Sequence, residues 1–181
     1  MNGNYFHYER KVEREMEFTT IKDTNLRASR IAIGTWAIGG WMWGGTDDRE
    51  SIRTIQAALD QGINVIDTAP VYGLGHSEEL VGKALQERGR RDDVIIATKV
   101  GLDWSTGSPE RNASRERIFR EIEDSLRRLQ TTYIDLYQVH WPDPLVPIEE
   151  TAEVILRLYK DRKSTRLNSS HRSLSRMPSS A

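Results

Sequence analysis

The chain has 181 residues, of which 37% are hydrophobic and 29% charged, with no cysteine and a formal net charge of −1. This length suits one domain with a substantial core, and the lack of cysteine excludes disulfides and thiolate metal sites. Residues 161–181 hold five basic residues and one acidic residue, a net charge of +4, which leaves −5 for the rest. A mildly acidic body of this kind argues against a nucleic-acid-binding surface.

The chain also lacks the sequence signals of a membrane or secreted protein. No apolar run approaches the ~20 residues that a membrane-spanning helix needs. The first 18 residues, MNGNYFHYERKVEREMEF, lack the apolar segment of a secretory signal. We therefore expect a cytoplasmic protein that binds neither membrane nor nucleic acid.

The first predicted elements are two short strands that follow a polar, charge-dense extension of residues 1–15. The segments MEFTTI and LRASRIAIGTW are typical of strands, and the sequence KDTN between them is typical of a turn. The second segment leads into the glycine-rich sequence GTWAIGGWMWGG. We expect a hairpin here, ahead of the main fold.

From residue 49 onward, predicted helices and strands alternate. The helices show apolar residues at helical spacing, for example at positions 118, 122, 126 and 129. Ser77 is a candidate N-cap, and Gly62 and Gly89 are candidate helix ends. The predicted helices span residues 49–61, 77–88, 114–130 and 147–160; the predicted strands span 63–69, 93–101 and 133–141, and residues 102–113 form a polar loop.

This order of elements predicts parallel strands joined by crossover helices. Both a doubly wound sheet and a (β/α)8 barrel have such an order. The barrel is favoured because polar residues recur where strands end, in IDTAPVY, ATKVG and YQVHWPD. The glycine-rich segment does not contain the G-x-G-x-x-G pattern of a doubly wound nucleotide-binding domain. Since only four strand-helix units are present, we predict an incomplete TIM barrel of the first four βα units after the hairpin.

Four residues that can carry chemistry lie at or just after the ends of predicted strands. Asp67 ends one strand, Tyr72 follows it by five residues, Lys99 ends the next, and His140 ends the last. In a barrel these side chains converge on one mouth. An ammonium favours the ionised form of a nearby phenol, a carboxylate holds the ammonium, and a histidine donates to an oxygen. Together they suit proton delivery to an oxygen that gains negative charge.

Each of these residues also has a structural interpretation when it is taken alone. Asp67 is in a position where aspartates form turns and caps, Tyr72 could be a packed loop aromatic, and His140 could be a core histidine. Lys99 is the exception, because a lysine directly after VIIAT has to emerge from a buried strand. The conjunction of the four at successive strand ends favours the functional interpretation.

Several segments resemble the aldo-keto reductase family. These are GTWAIGG, GINVIDTAPVYGLGHSEELVGKAL, ATKVG and IDLYQVHWPD, in the family's order and within residues 16–160. The resemblance implies a (β/α)8 barrel that reduces aldehydes or ketones with NADPH. It implies that Tyr72 is the general acid, that Lys99 assists it, that Asp67 pairs with Lys99 and that His140 orients the carbonyl.

The resemblance also implies where the cofactor and the small-molecule carbonyl substrate lie. The residues that would contact the cofactor are Thr35, Trp36, Asp67 and Lys99. Trp36, Trp104 and Trp141 would line the substrate pocket. Trp41 and Trp43 lie on the same mouth-side loops, where ordinary loop packing is the other interpretation.

Within the family, the sequence is most similar to bacterial members that also resemble potassium-channel β subunits. An alternative function is therefore a nucleotide-sensing regulatory subunit with little turnover. The resemblance places the main NADPH-binding residues in later strands, beyond residue 160. We therefore expect the 181-residue chain alone to be inactive.

Residues 161–181 match nothing else in the chain. They have seven serines and no aromatic residue or periodicity, a composition that cannot form a core. A basic interaction tail and a linker are two interpretations. The third is that DRKSTRLNSSH and SRMPSSA resemble a translated sequencing adapter, which explains why the barrel pattern stops halfway. We expect a non-native, disordered segment.

Overall fold

The computed structural model describes residues 15–161, 163 and 167–168. The predicted extension of residues 1–15 therefore lies almost wholly outside the described part. The chain begins with an antiparallel hairpin of β1 (Phe18–Thr20) and β2 (Arg27–Ser29). The side chain of Thr24 donates to the carbonyl of Ile21 at 2.6 Å and closes the turn. The predicted hairpin is confirmed.

The remaining elements follow in chain order: β3 (Ile33–Gly34), α1 (Asp48–Asp60), β4 (Val65–Asp67), α2 (His76–Arg88), β5 (Ile95–Val100), β6 (Leu102–Asp103), β7 (Glu110–Arg111), α3 (Arg115–Leu129), β8 (Leu136–Val139), α4 (Ile148–Lys160) and β9 (Leu167–Asn168). Three short 3-10 turns lie at residues 37–39, 72–75 and 91–93. The helices match the predicted ones to within two residues at each end.

The main sheet has five parallel strands in the order β3-β4-β5-β8-β9. Each strand pairs with the next one along the chain, without the reversal of order that marks a doubly wound sheet. One apolar cluster joins β4, β5 and β8 to all four helices, and each helix packs against the next. This is the arrangement of a (β/α)8 barrel over its first four units, and among the described residues it is open.

The hairpin is joined to the amino end of β4 through one asparagine. The side-chain oxygen of Asn64 accepts from the backbone of Ser29 at 2.7 Å, and its amide donates to the carbonyl of Arg27 at 2.9 Å. Asn64 directly precedes β4. The hairpin therefore lies at the opposite end of the sheet from the polar residues that follow the strands.

Side-chain caps begin two of the helices. Asp47 accepts from the backbone of Glu50 at 2.8 Å at the start of α1, and Ser114 accepts from the backbone of Arg117 at 3.4 Å at the start of α3. The prediction that Ser77 caps α2 is wrong. Ser77 lies inside the helix, the cap position belongs to Gly75, and the Ser77 hydroxyl donates elsewhere.

Two other predictions of local structure need correction. The segment LRASRIAIGTW is not one strand but two, because β2 pairs with the hairpin and β3 with the main sheet. Residues 102–113 are not only a loop, since β6 and β7 form a short antiparallel pair there. The sequence pattern did not predict these two strands because they are short and the turn between them is polar.

The segment of residues 161–181 is described only at residues 161, 163 and 167–168. The backbone carbonyl of Lys163 accepts from Ile134 at 3.1 Å. Beyond it, β9 pairs in parallel with β8 through Tyr137 and Gln138. These few residues lie against the sheet, and the prediction of a non-native, disordered segment stays a prediction. The other residues of the segment lie outside the described part.

In the described part of the chain, no helix combines the length and the apolar character needed to cross a membrane.

Gly82 marks the closest approach of α2 to α3. A Cβ added at this position would lie 2.4 Å from the backbone oxygen of Arg128. Glycine inside a helix normally costs about 1 kcal/mol relative to alanine, because it has more freedom to lose. At Gly82 the absence of a side chain permits α2 and α3 to pack closely against each other.

We predict that Gly82→Ala lowers the free energy of unfolding by about 1–3 kcal/mol, since overpacking outweighs the gain in helix propensity. Gly34→Ala is the control, because a Cβ there meets nothing within 4 Å. Urea unfolding followed by tryptophan fluorescence measures both. An unchanged or higher stability of Gly82→Ala would contradict the predicted contact.

Candidate active site

Three of the four predicted catalytic residues meet around the ammonium of Lys99. Its Nζ lies 2.7 Å from Asp67 Oδ1, 3.1 Å from the Tyr72 hydroxyl and 2.9 Å from the carbonyl oxygen of Thr68. The Lys99 side chain is only 14% exposed. The ammonium is thus held in one place by two partners besides the phenol.

The sheet register explains why Asp67 and Lys99 meet. Asp67 is the last residue of β4 and pairs with Ala97 on β5. Lys99 lies two residues beyond Ala97, and alternate residues of a strand point to the same face. The Lys99 side chain therefore extends over the end of β4, on the same face as its neighbour in register on β8, Gln138.

Tyr72 lies in the turn after β4, and two glycines hold that turn in place. A Cβ on Gly73 would lie 2.2 Å from the backbone oxygen of Gly39, and a Cβ on Gly39 would lie 2.6 Å from the backbone of Tyr72. Gly73 also has a φ of 63°, which side chains other than glycine rarely adopt. The backbone contact between these glycines sets the position from which Tyr72 reaches Lys99.

The hydrogen bonds around Lys99 determine the direction of the Tyr72 proton. An ammonium has three N–H groups and accepts nothing. Its three partners are Asp67, Thr68 and Tyr72, so the phenol oxygen is the acceptor of one of these bonds. The proton of Tyr72 is not used in that contact and remains available for a substrate oxygen.

His140 directly follows β8 and lies against the other side of Tyr72. Their ring centroids are 6.0 Å apart and the rings are perpendicular. The backbone N–H of His140 donates to the carbonyl of Val100 at 2.9 Å, which ties it to the end of β5. Burial, assisted by the positive charge of Lys99, lowers the pKa of His140 to about 4. The imidazole is therefore uncharged at neutral pH and has one N–H to donate.

Aromatic side chains surround this group. The Trp36 ring lies 6.2 Å from the Tyr72 ring and nearly parallel to it, and the Trp43 ring meets Trp36 edge-on at 5.5 Å. The Trp141 ring lies 5.3 Å from His140. Trp36 and Trp141 are both 48% exposed, so their faces are available to a ligand.

The other two tryptophans differ in their surroundings. Trp104 packs with Tyr72 against a small apolar cluster of Ala69, Val71 and Leu102. It therefore shares an apolar cluster with Tyr72, and its place in a substrate pocket stays a prediction. Trp41 lies on the same loop as Trp43 and is 41% exposed.

Thr35 does not have the predicted cofactor-contacting position. It is fully buried, its hydroxyl donates to the backbone of Asp67 at 3.1 Å, and it accepts from Ser77 at 2.7 Å. A residue without accessible surface cannot touch a bound cofactor, so this prediction is corrected. Thr35 instead joins β3 and α2 to the residue that pairs with Lys99.

Several buried polar residues near the site were not predicted. Glu78 and Glu121 are at most 1% exposed, and they form ion pairs with Arg128 and Arg117. Thr98 donates to Glu78 at 2.7 Å. The available signal was the position of each glutamate within the apolar face of an amphipathic helix, where a solvated residue is not expected.

We predict that His140 remains uncharged down to about pH 4 and that this makes stability depend on pH. Its pKa of about 4 lies below the ordinary value of 6.5. Unfolding therefore takes up a proton below pH 6.5, and stability falls as the pH decreases from 6.5 towards 4. The loss relative to a His140→Gln variant should reach up to about 2 kcal/mol, allowing for screening of the partly exposed ring.

Urea unfolding of both chains between pH 8 and 4 measures this difference, and ring-proton NMR gives the titration midpoint directly. Because the carboxylates titrate in both proteins, their contribution cancels in the difference between the wild-type chain and the His140→Gln variant. A ring midpoint above 6, or parallel pH profiles of the two chains, would contradict the prediction.

The geometry agrees with comparisons to known proteins. The sequence profile of the Aldo/keto reductase family matches residues 30–162. The Bacillus subtilis protein Aldo-keto reductase YhdN is 63% identical, over 90% of this chain and 49% of the relative. The Escherichia coli NADH-specific methylglyoxal reductase is 41% identical, over 77% of this chain and 47% of the relative. A probable voltage-gated potassium channel subunit beta from Oryza sativa is 34% identical, over 77% and 42%.

Solved structures show the same likeness. The glycerol dehydrogenase AKR11B4 of Gluconobacter oxydans superposes with a TM-score of 0.76 at 50% identity, over 84% of this chain and 47% of the other. The aldo-keto reductase AKR11C1 of Bacillus halodurans, in its holo form, gives a TM-score of 0.77 at 35% identity, over 90% and 55%. The chain spans about half the length of the curated relatives it matches. The arrangement around Lys99, the parallel barrel units and these matches agree, and the chain belongs to the aldo/keto reductase family.

Proposed function

We propose that a protein built on this chain reduces aldehydes or ketones to alcohols with NADPH, and that Tyr72 is the general acid. The observation that carries the proposal is the contact of the Lys99 ammonium with the Tyr72 hydroxyl at 3.1 Å and with Asp67 at 2.7 Å. The chain's family supports an oxidoreductase. The choice of NADPH and the role of Tyr72 are our extension of that class.

In the proposed reaction Tyr72 gives its proton to the carbonyl oxygen. The phenol loses a proton as the oxygen of the substrate gains one, so negative charge develops on the Tyr72 oxygen. The Lys99 ammonium lies 3.1 Å from that oxygen and favours the charge. Asp67 and the Thr68 carbonyl prevent the ammonium from turning away.

His140 has a separate role at the same oxygen. Because its pKa is lowered to about 4, the ring is a neutral hydrogen-bond donor at neutral pH. It lies perpendicular to Tyr72 at 6.0 Å between centroids, so a carbonyl oxygen near both the Tyr72 hydroxyl and the His140 N–H can accept from both. This fixes the orientation of the substrate carbonyl.

The mouth of the site fits a nicotinamide ring. The face of Trp36 is exposed beside Tyr72, and the Asp67 side chain is 40% exposed beside Lys99. A flat ring with polar edges can lie against both. When bound, NADPH supplies the hydride that the carbonyl carbon accepts. Trp36, Asp67 and Lys99 would hold the nicotinamide end, whereas residues beyond the part of the protein present here would hold the phosphates.

The substrate in this proposal is a small carbonyl compound. Trp141 lies beside His140, and Trp104 packs against the apolar cluster on which Tyr72 also packs. A pocket beside Trp141 is lined by Pro109, Glu110, Arg111, Trp141, Asp143, Pro144 and Leu145. Relatives are named for methylglyoxal and glycerol, which are also small. We place the activity in the cytoplasm, as the sequence led us to expect.

A second function is favoured by the likeness to potassium channel β subunits. In that case the site binds a nicotinamide nucleotide as a signal and turns over slowly. The residues around Lys99 serve either function. Cofactor binding without turnover separates the regulatory function from the enzymatic one.

The experiment uses a chimera, because the chain spans about half the length of its relatives. Residues 1–160 are joined to the remaining half of the Bacillus subtilis relative, which is 63% identical to this chain. We expect NADPH oxidation with 4-nitrobenzaldehyde, and no oxidation by the 181-residue chain alone. NADH is tested in parallel, since one relative is NADH-specific. A chimera that binds the cofactor without turnover would favour the regulatory function.

We predict that Tyr72→Phe in the chimera lowers kcat by about 10²–10⁴-fold, the contribution of a positioned general acid. NADPH binding, measured by fluorescence titration, should change little, because the ring remains. Tyr159→Phe is the matched control, since Tyr159 is 43% exposed on α4. If Tyr72→Phe keeps more than about a tenth of the activity, Tyr72 is not the general acid.

A further inference from the structure

A buried ion pair on α3 lies directly behind the β6–β7 pair and takes no part in the proton transfer. Arg117 Nε donates to Glu121 Oε2 at 3.3 Å, one helical turn away. The side chains are 12% and 1% exposed. Removing two charges from water is costly unless their contacts are well satisfied. The contacts made by each end of the pair therefore show what it holds in place.

The Glu121 end holds the strand that carries Lys99. The backbone N–H of Gly101 donates to Glu121 Oε2 at 3.1 Å. Gly101 directly follows β5, whose last residue, Val100, accepts the backbone N–H of His140. One carboxylate oxygen thus joins α3 to the strand end between Lys99 and the segment that follows it.

The Arg117 end holds the wall of the proposed substrate pocket. Its guanidinium lies 3.4 Å from Asp103 Oδ1 and 5.1 Å from the centroid of the Trp104 ring. Asp103 also accepts the backbone N–H of Ser105 at 3.0 Å. Trp104 therefore has Arg117 on one side and, on the other, the apolar cluster that it shares with Tyr72.

We propose that Arg117 and Glu121 are positioning residues, which hold Trp104 against the apolar cluster of Ala69, Val71 and Leu102 and thereby set the affinity for the carbonyl substrate. The part that concerns the substrate rests on the proposed function. The part that concerns Trp104 does not, since it depends only on contacts within this chain. Neither residue touches the reacting atoms.

Groups on every neighbouring element determine when Glu121 is charged. Burial, with a smaller contribution from Glu78 on α2, raises the pKa of Glu121 to about 7, and Arg117 and the Gly101 N–H oppose this. Glu78 is paired with Arg128. On β8, the buried Tyr137 hydroxyl has no hydrogen-bond partner in the part of the chain that the structure describes. Above pH 7 the charged Glu121 forms an ion pair with Arg117. Below pH 7 Glu121 takes up a proton, and the ion pair weakens.

The test follows Trp104 without any need for catalysis. The 181-residue chain is labelled with 5-fluorotryptophan, which gives one 19F resonance for each of the five tryptophans. Trp104→Phe assigns the resonance of interest. We expect it to move with a midpoint near pH 7, the pKa of Glu121. Glu121→Gln should abolish this dependence, and Arg117→Met should displace the resonance at every pH.

Control and conservative variants separate positioning from a general effect on folding. Arg115→Met and Glu153→Gln remove an exposed ion pair that α3 makes with α4, and should leave the Trp104 resonance in place. Arg117→Lys keeps the charge and should restore part of the wild-type position. If Trp104 is unaffected in Arg117→Met, if Arg117→Lys displaces it as far as Arg117→Met does, or if its pH dependence persists in Glu121→Gln, the positioning proposal is wrong.

The kinetic arm uses the chimera described above. We expect Arg117→Met to raise KM about five- to tenfold while kcat stays within about twofold, the pattern of lost substrate binding rather than lost chemistry. Equal losses in kcat and kcat/KM, or an unchanged KM, would overturn the link to substrate affinity. If the chimera has no activity, the proposed function fails, whereas the 19F result still decides whether the pair positions Trp104.

Discussion

The ammonium of Lys99 is the group on which the rest of the site depends. Its three donors are directed at a carboxylate, a backbone carbonyl and a phenol. All three acceptors lie close together in sequence: the carboxylate of Asp67 ends β4, the carbonyl of Thr68 follows it, and the phenol of Tyr72 comes from the next turn. Thr35 and Ser77 hold the end of β4, since Thr35 donates to the Asp67 carbonyl and Ser77 donates to Thr35, and the strand pairing sets the register of β4 with β5. An error of one residue in that register would point Lys99 to the other face of the sheet.

The positions of the candidate catalytic residues could be predicted because they depend on topology. Parallel strands bring their carboxyl ends to one edge, so Asp67, Lys99 and His140 meet without any knowledge of their side-chain contacts. The resemblance added roles but not exposure, and for this reason it placed Thr35 wrongly. The resemblance to the family indicates which residues lie near the cofactor site. It does not indicate that Thr35 is covered by contacts such as its hydrogen bond with Ser77, a residue far away in sequence.

Errors at other positions have local causes. A serine before a helix is a good capping signal, but at Ser77 the hydroxyl gains more from a buried contact between β3 and α2 than from a helix end. Glu78 and Glu121 were missed because glutamate on a helix normally faces water. Their burial is compensated by the arginines at 2.7 Å and 3.3 Å and by hydrogen bonds from Thr98 and the Gly101 N–H. The pair of Glu78 and Arg128 depends on the mutual approach of α2 and α3, which a pattern along one helix cannot describe.

The pairing of β9 with β8 has a consequence for protein engineering. The contacts that define this pairing run through backbone at Tyr137 and Gln138 and through the Lys163 carbonyl, and backbone hydrogen bonds do not depend on side-chain identity. The outer edge of β8 is therefore a generic acceptor for an extended segment. A fold that can be divided at such an edge is a suitable starting point for a split reporter, in which two fragments recover a signal only when they are brought together.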